Sequence, residues 1–526
     1  MISRRQLGAL AGAAALSPAL AAHAEEPRRG GRLNLIVQPE PASAFIGINR
    51  LGPSAFVGSK INEGLLSFGR DLKPRPMLAE SWEVSPDGLT YVFRLRRNAA
   101  WHDGRPFTSA DVVYSITEFL PKVFSRSRAV FTNVDRVTAV DAHTVELKMK
   151  HPFPGLLTVF ERSGGTMVPR HIYEGTDPYR NPANEKPIGT GPFKFAEWRR
   201  GSFIRLERNE NYWQPDRPYL DEIYFHVVPD ANGRSVAFET GQVDVLRGGD
   251  VEWFEVRRLA RLPEVEVTEA GWEFLSPLAW FNLNLRNPPL NDVRFRRALS
   301  HAIDRNFIVR TIFAGFGTPC DGPMTRGMAF SDPAAWTTYK YDTRAAIALL
   351  DEMGLRPGRD GIRAELRFLP LPYGETWLRL GDYLRERLRA IGIRLNVTPV
   401  DMPTLVQRVN AGDFDIFSNF VYMLPDPAMN FTQVYRSDMK AIGTSSNLGG
   451  YDNPELTAML LRAERTQDRA ERQRLYTEIQ KILTRDVPIL WTHEIGFLTL
   501  HRKKVRNLMA TGLGTDDTLA DTWLAG

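Results

Sequence analysis

Cysteine is nearly absent from this chain of 526 residues: Cys320 stands alone, so no internal disulfide can form and an oxidising compartment would leave that thiol free or buried. Charge of one sign is lacking too, because 67 basic side chains face 62 acidic ones and the formal balance is only +5. That is too weak to point to nucleic acid or an anionic membrane surface. Beyond the N-terminus, no apolar run approaches the roughly 20 residues of a membrane-spanning helix, so stable membrane insertion is not expected. The signatures of common catalytic sites are missing as well. Gly189-Thr190-Gly191 lacks the third glycine of a dinucleotide loop and runs into Pro192, which has no N–H to offer a phosphate. His493-Glu494 opens like a zinc-protease motif, but position 497 is Phe, where the second histidine would stand. There is no Gly-x-Ser-x-Gly nucleophile elbow, the nine histidines lack metal-ligand spacing, and Cys320 has no reactive-thiol signature around it. The expectation is a protein without catalysis, cofactor or metal.

What is present begins with a leader. Arg4-Arg5 precedes a weakly hydrophobic, Ala-rich run from Leu7 to Ala22, and Ala22-His23-Ala24 makes a small-residue cleavage site before Glu25-Glu26. Ser3-Arg4-Arg5-Gln6-Leu7 resembles the twin-arginine motif, with a general secretory signal as the alternative. Cys320 lies too far away to accept a lipid at the cleavage site, so residues 1–24 read as an export signal and the mature chain as unanchored and periplasmic. Removing Arg4 and Arg5 leaves 65 basic against 62 acidic side chains, or +3.

The mature chain is too long for one hydrophobic core, and its 43% apolar and 25% charged content is ordinary for globular domains. Residues 33–37 predict a strand, and 54–66 a helix. Alternation over 81–97 around Ser85-Pro86-Asp87-Gly88 predicts a β-hairpin. Thr108 or Ser109 caps a helix running to Phe119, and 188–228 is β-rich. A strand at 281–285 leads into a helix over 294–306; further helices span 343–353, with Asp342 as cap and Gly354 as stop, and 470–483. Short strands alternating with helices through 280–495 indicate an α/β lobe. No linker or repeat separates the parts, so the chain should cross between lobes more than once.

Four blocks carry a resemblance. Met77-Leu78-Ala79-Glu80-Ser81-Trp82 leads through Asp87-Gly88-Leu89-Thr90-Tyr91 and Trp101-His102-Asp103-Gly104 to Ala110-Asp111-Val112-Val113-Tyr114-Ser115. Pro187-Ile188-Gly189-Thr190-Gly191-Pro192-Phe193 closes at Arg208-Asn209-Glu210-Asn211-Tyr212-Trp213. Phe281-Asn282 precedes Asp292-Val293-Arg294-Phe295-Arg296-Arg297-Ala298-Leu299 and Ala302-Ile303-Asp304-Arg305. Gly412-Asp413-Phe414-Asp415-Ile416, Asp426-Pro427, Asn453-Pro454-Glu455-Leu456 and Val487-Pro488-Ile489-Leu490 complete the set. In this order they resemble the extracellular solute-binding proteins of family 5, periplasmic receptors for peptides, nickel chelates, opines and some sugars.

The resemblance implies an α/β bilobal fold: lobe I from 25–66, 187–275 and 496–526, an extra β-rich subdomain over 67–186, and lobe II over 276–495. It implies a monomer that captures a small-molecule ligand by lobe closure and hands it to the permease subunits of an ABC importer. In peptide-binding members an aspartate before the Asp-Pro pair meets the peptide ammonium. Ungapped alignment on Asp426-Pro427 puts Met423 there, and Phe420 at the usual tryptophan. A thioether cannot neutralise an ammonium, so the cargo is read as something other than a free-amine peptide, with an apolar or aromatic part against Phe420, Tyr422 and Met423. A register slip of three would instead put Asp426 at the site. A di- or oligopeptide receptor of the same class is the alternative, and an exported hydrolase the alternative from another class. Ser54, Trp280, Asn282, His493 and Glu494 are the further wall candidates implied by the family geometry. Arg296 and Arg297 are read as an exposed helix face.

Overall fold

The computed structural model describes residues 25–124, 128, 130–439 and 446–526. The leader expected at 1–24 lies outside the described residues.

Two mixed sheets organise the chain. The first, seven-stranded, runs Val265–Thr268, Thr499–Arg502, Val245–Leu246, Arg32–Val37, Glu222–Val227, Phe203–Arg208, Phe193–Arg199. The second, six-stranded, runs Gly317–Pro319, Ile489–Ile495, Ser276–Leu283, Ile416–Met423, Ala364–Leu369, Ile393–Val397. Both contain parallel pairs, Arg32–Val37 with Glu222–Val227 and Ala364–Leu369 with Ile393–Val397. Helices cover them, as parallel pairing requires. Each sheet is the core of one lobe. A separate four-stranded antiparallel sheet, ordered Ala79–Val84, Thr90–Leu95, Thr144–Met149, Val134–Asp141, stands on the first lobe.

Local signals account for many of these elements. The hairpin turns at Gly88, whose φ of +68° a side chain would strain. Asp342 caps Thr343–Glu352 by accepting from the N–H groups of Arg344 and Ala345, and Gly354 ends it at φ +76°. Asp292 likewise caps Val293–Ala302, and the C-terminal helix extends further than expected, over Arg469–Asp486. The helix from Thr108 is α-helical only over Ser109–Tyr114 before widening into a π-turn at Ser115–Phe119.

One expected helix is much shorter. The segment from Ser54 is helical only within Gly52–Gly58, and the next strand starts at Leu66. Between them residues 60–63 thread between two other backbones: a Cβ on Gly189 would lie 1.9 Å from the Ile61 carbonyl, and one on Gly64 2.3 Å from that of Phe160. The Gly189-Thr190-Gly191 motif is therefore a packing device. His102 joins it, accepting from the Gly189 N–H at 3.2 Å while its Nε2 meets the Gly191 carbonyl at 2.9 Å. Burial holds its pKa down at about 4. Arg296, expected on an exposed helix face, is buried instead and donates to the carbonyls of Leu290, Asn291, Asp486 and Val487. Cys320 is buried, and burial raises its thiol pKa to about 12.

Glu63, inside this threaded segment, is buried and accepts from Tyr212 Oη at 2.7 Å, Trp213 Nε1 at 3.0 Å and Thr190 Oγ1 at 2.8 Å. Burial outweighs those donors and raises its pKa from 4.5 to about 7. The folded state thus favours the protonated acid. Its stabilising contribution is complete below the unfolded pKa of 4.5 and is lost as pH rises through about 7. The shift corresponds to about 3 kcal/mol. Urea unfolding of the native protein and Glu63→Gln from pH 4 to 8 should show native stability falling by about that amount relative to the variant; parallel curves would refute the assignment.

Candidate functional site

The chain passes between the two sheets along residues 269–275 and 496–498, and Trp272 on the first crossing faces Phe497 on the second. Trp272 and Phe497 meet with centroids 4.8 Å apart. The first crossing also carries Phe274, which packs against Phe68 at 4.9 Å, and from Trp272 and Phe497 an aromatic train runs in two directions. Phe497 stacks on Trp253, 5.8 Å away and 4° from parallel. On the second-lobe side Phe497 meets Phe420 edge-on at 5.9 Å, and Phe420 stacks on Trp377 at 5.7 Å. Trp272 stacks on Tyr422 at 6.4 Å and 12°, and Tyr422 stands perpendicular to Phe420 at 5.6 Å. Strand geometry makes this possible: successive side chains of Ile416–Met423 point to opposite faces, so Phe420 and Tyr422 share one face.

The first lobe supplies the other side. Arg247 follows strand Val245–Leu246, and its guanidinium lies 4.1 Å from the Phe56 ring and 5.7 Å from Trp272. Its Nη2 donates to Asp516 at 2.6 Å, and its backbone N–H to Asp250 at 2.7 Å. The Tyr422 phenol, raised by burial, feels both Arg247 and Asp516, which ties the second-lobe face to the first-lobe ion pair. Nearby, Glu252 reaches across from the first lobe to the second. The helix Glu375–Arg389 has no side-chain cap of its own, since Gly374 occupies the cap position. Glu252 accepts instead from the Glu375 N–H at 3.1 Å and Thr376 Oγ1 at 2.9 Å. Beyond Met423, Leu424, Ala428 and Met429 join the apolar core that holds Phe45, Phe160 and Leu513. The lobes are therefore in contact on both sides of the ring set.

Of the residues singled out in sequence, Phe420 and Tyr422 lie in this seam. Met423 does not: it is 1% exposed and packs with Leu278, Trp280, Cys320 and Tyr435 behind the sheet. Alignment register alone placed it in the wall, whereas strand alternation puts it opposite Tyr422. Trp280 belongs to the same core, and its indole N–H donates to the Asn282 carboxamide, so both are packing groups. Asp426 is spoken for, because Arg472 binds it with Nη1 at 3.0 Å and Nη2 at 2.8 Å. Glu494 accepts from Arg326 through its backbone N–H at 3.1 Å and Nη1 at 3.0 Å. His493 is fully buried, 4.1 Å from the Phe313 ring, and burial drives its pKa down to about 3. Ser54 is buried, its hydroxyl without a partner among the described residues, on the helix that carries Phe56. Trp272, Phe497, Arg247 and Glu252 escaped sequence reading, since crossings and loops have no periodicity to mark them.

Comparison with known proteins agrees with this architecture. A profile described as bacterial extracellular solute-binding proteins, family 5 (middle), matches residues 73–441. The glutathione-binding protein GsiB of Pectobacterium atrosepticum is 25% identical over 459 residues, 86% of each chain. Its Salmonella typhi counterpart is 25% identical over 474 residues, 88% of this chain and 90% of the relative. Among solved structures, the ABC transporter-associated periplasmic binding protein DppA from Helicobacter pylori, in complex with the peptide STSA, has a TM-score of 0.82 at 23% identity over 95% of this chain and 99% of its own. AgaA from A. tumefaciens, in complex with agropinic acid, has a TM-score of 0.81 at 25% identity over 94% and 99%. Two sheet-cored lobes joined by paired crossings, with side chains of both lobes meeting between them, define a two-lobed solute receptor. The chain belongs to the bacterial extracellular solute-binding proteins of family 5, and its role is that of a transport system's substrate-binding component.

The position of Met423 has a direct test. Met423→Asp should lower unfolding free energy by about 3 to 5 kcal/mol, the scale of an unpaired charge forced into a core, and should create no peptide binding. A stable variant that gains affinity for free tripeptides would return Met423 to the wall.

Proposed function

We propose that this protein is the periplasmic receptor of an ABC importer for a small solute with a flat, apolar portion, seated between Trp272 and the Phe420–Tyr422 face. The observation that carries this reading is the ring set itself, which gathers the two hinge crossings and the second-lobe strand around one place. Flat rings gain dispersion and quadrupole contacts from such neighbours beyond simple area burial. Related solved structures hold cargo as different as a peptide, agropinic acid and Ni(L-His). Kinship thus supports the mechanism, and the side chains choose the cargo.

Free-amine peptides fit poorly. Their ammonium needs a carboxylate once it leaves water. Asp426, the acid beside the seam-forming strand, is occupied by Arg472 at both oxygens. Breaking that buried pair would cost about 3 to 5 kcal/mol.

Capture needs no chemical step. A solute touching both lobes stabilises the closed arrangement by its differential affinity for that state, and closure presents the surface that the permease recognises. We place the lobe boundaries at 25–66, 187–275 and 496–526 for the first, 67–186 for its subdomain and 276–495 for the second. The receptor acts as a monomer. It reaches the periplasm already folded, through the twin-arginine sequence Arg4-Arg5.

Two experiments test the reading. A thermal-shift screen of peptides, opines, sugars, chelates and aromatic acids should give a concentration-dependent rise for a ring-bearing solute. Trp272→Ala should then weaken its binding by about tenfold, the scale of one lost aromatic contact; hits confined to free di- and tripeptides would contradict it. For export, changing Arg4 and Arg5 together to lysine should hold the precursor in the cytoplasm on cell fractionation. Unchanged export would assign the leader to the general secretory route.

A further inference from the structure

Arg247 offers more than a wall. A guanidinium presents two donors side by side on its Nε–Nη2 edge, the geometry that grips both oxygens of one carboxylate. Here that edge is half used. Asp516 accepts from Nη2 at 2.6 Å, while Nε is shielded from solvent and has no hydrogen-bond partner among the described residues. A buried donor left without an acceptor is costly. The surroundings do not supply one: the guanidinium lies over Phe56 and beside Trp272, both apolar faces. Lys60, close by, donates to the Thr515 carbonyl at 2.6 Å and to Ser59 Oγ at 2.9 Å. Of the charged groups around it, Arg162 is paired with Glu161 at 3.1 Å. Arg247 is therefore the cation that combines an incompletely used edge with a place against the aromatic seam.

Resting on the proposed seat for a flat solute, we infer that the solute carries a carboxylate, that Arg247 is its anchor through the Nε–Nη2 edge, and that Asp516 is the internal anion this carboxylate competes with. Opening at the hinge withdraws Tyr422 from the ion pair and admits the acid; closure returns the phenol ring over it. The chemistry selects a singly charged, planar anion. A phosphate dianion would bring its second charge against Asp516 in a dry seam, where repulsion is poorly screened. Asp516 has a further consequence. It keeps the guanidinium paired when the solute is away, so the empty receptor does not leave a bare charge buried.

The test uses the mature receptor and three matched pairs of probes: phenylacetate, indole-3-acetate and 4-hydroxybenzoate, each beside its primary amide. Isothermal titration should show at least one acid binding about thirtyfold or more tighter than its amide, the scale of a charge-assisted hydrogen bond. Arg247→Gln should bring the acid down to the level of the amide. Asp516→Asn should do the reverse, tightening the acid severalfold by removing its competitor, an effect that a merely structural ion pair would not produce. Acid and amide binding alike, with Arg247→Gln silent, would overturn the anchor while leaving the aromatic seat intact. Binding of none of the six probes would overturn the anchor, and if free peptides bind instead the aromatic seat falls with it. If Arg247→Gln lowers the melting temperature too far for titration, Asp516→Asn decides, and unchanged acid affinity overturns the inference.

Discussion

Strand Val265–Thr268 pairs antiparallel with Thr499–Arg502 in the first lobe, and strand Ser276–Leu283 pairs antiparallel with Ile489–Ile495 in the second. The same two chain segments are thus neighbours on both sides of the gap, and the crossings between them are only a few residues long. Such a pair of tethers leaves one direction in which the lobes can readily move, a rotation about the crossings. Sliding apart or twisting would break ladder hydrogen bonds in one sheet or the other. Trp272 and Phe497 sit on this axis and touch each other, so these two rings move least, while the Phe420–Tyr422 face turns with the second lobe. Glu252 and the Leu424–Met429 segment lie away from it and add further contacts between the lobes.

The side chains of the seam show a division of labour between holding and receiving. Asp426–Arg472 and Glu494–Arg326 are satisfied within the second lobe and fix the loops that frame the cleft. Phe420, Tyr422 and Trp272 present faces without strong directional demands, which suits recognition of flat apolar surface. Among the described residues, Arg247 joins charge to that surface. In the proposed reading, selectivity has two sources: ring contact for shape, and one guanidinium edge for charge.

Much of the fold was legible because its signals are local. Asp342 and Gly354 bound their helix, and Gly88 turned its hairpin. The helix expected at 54–66 failed because the forces that unwind it are nonlocal, arriving from residues 160–162 and 189–191. The site divided along the same line. Phe420 and Tyr422 came from the same alignment register as Met423, and only the alternation of strand Ile416–Met423 separates the two rings from the buried Met423. Arg472 lies 46 residues from Asp426, and no local pattern predicts that pairing. Trp272 and Phe497 stand in aperiodic crossings and become meaningful only once both sheets are in place.

The central claim is that one solute is held by both lobes at the aromatic seam. Hydrogen exchange of the receptor with and without its saturating solute tests it most directly. The account predicts that protection rises together around 247–252, 372–377 and 420–424, while the sheet cores of both lobes keep their exchange rates. Protection confined to one lobe, or absent from the 420–424 segment, would contradict it.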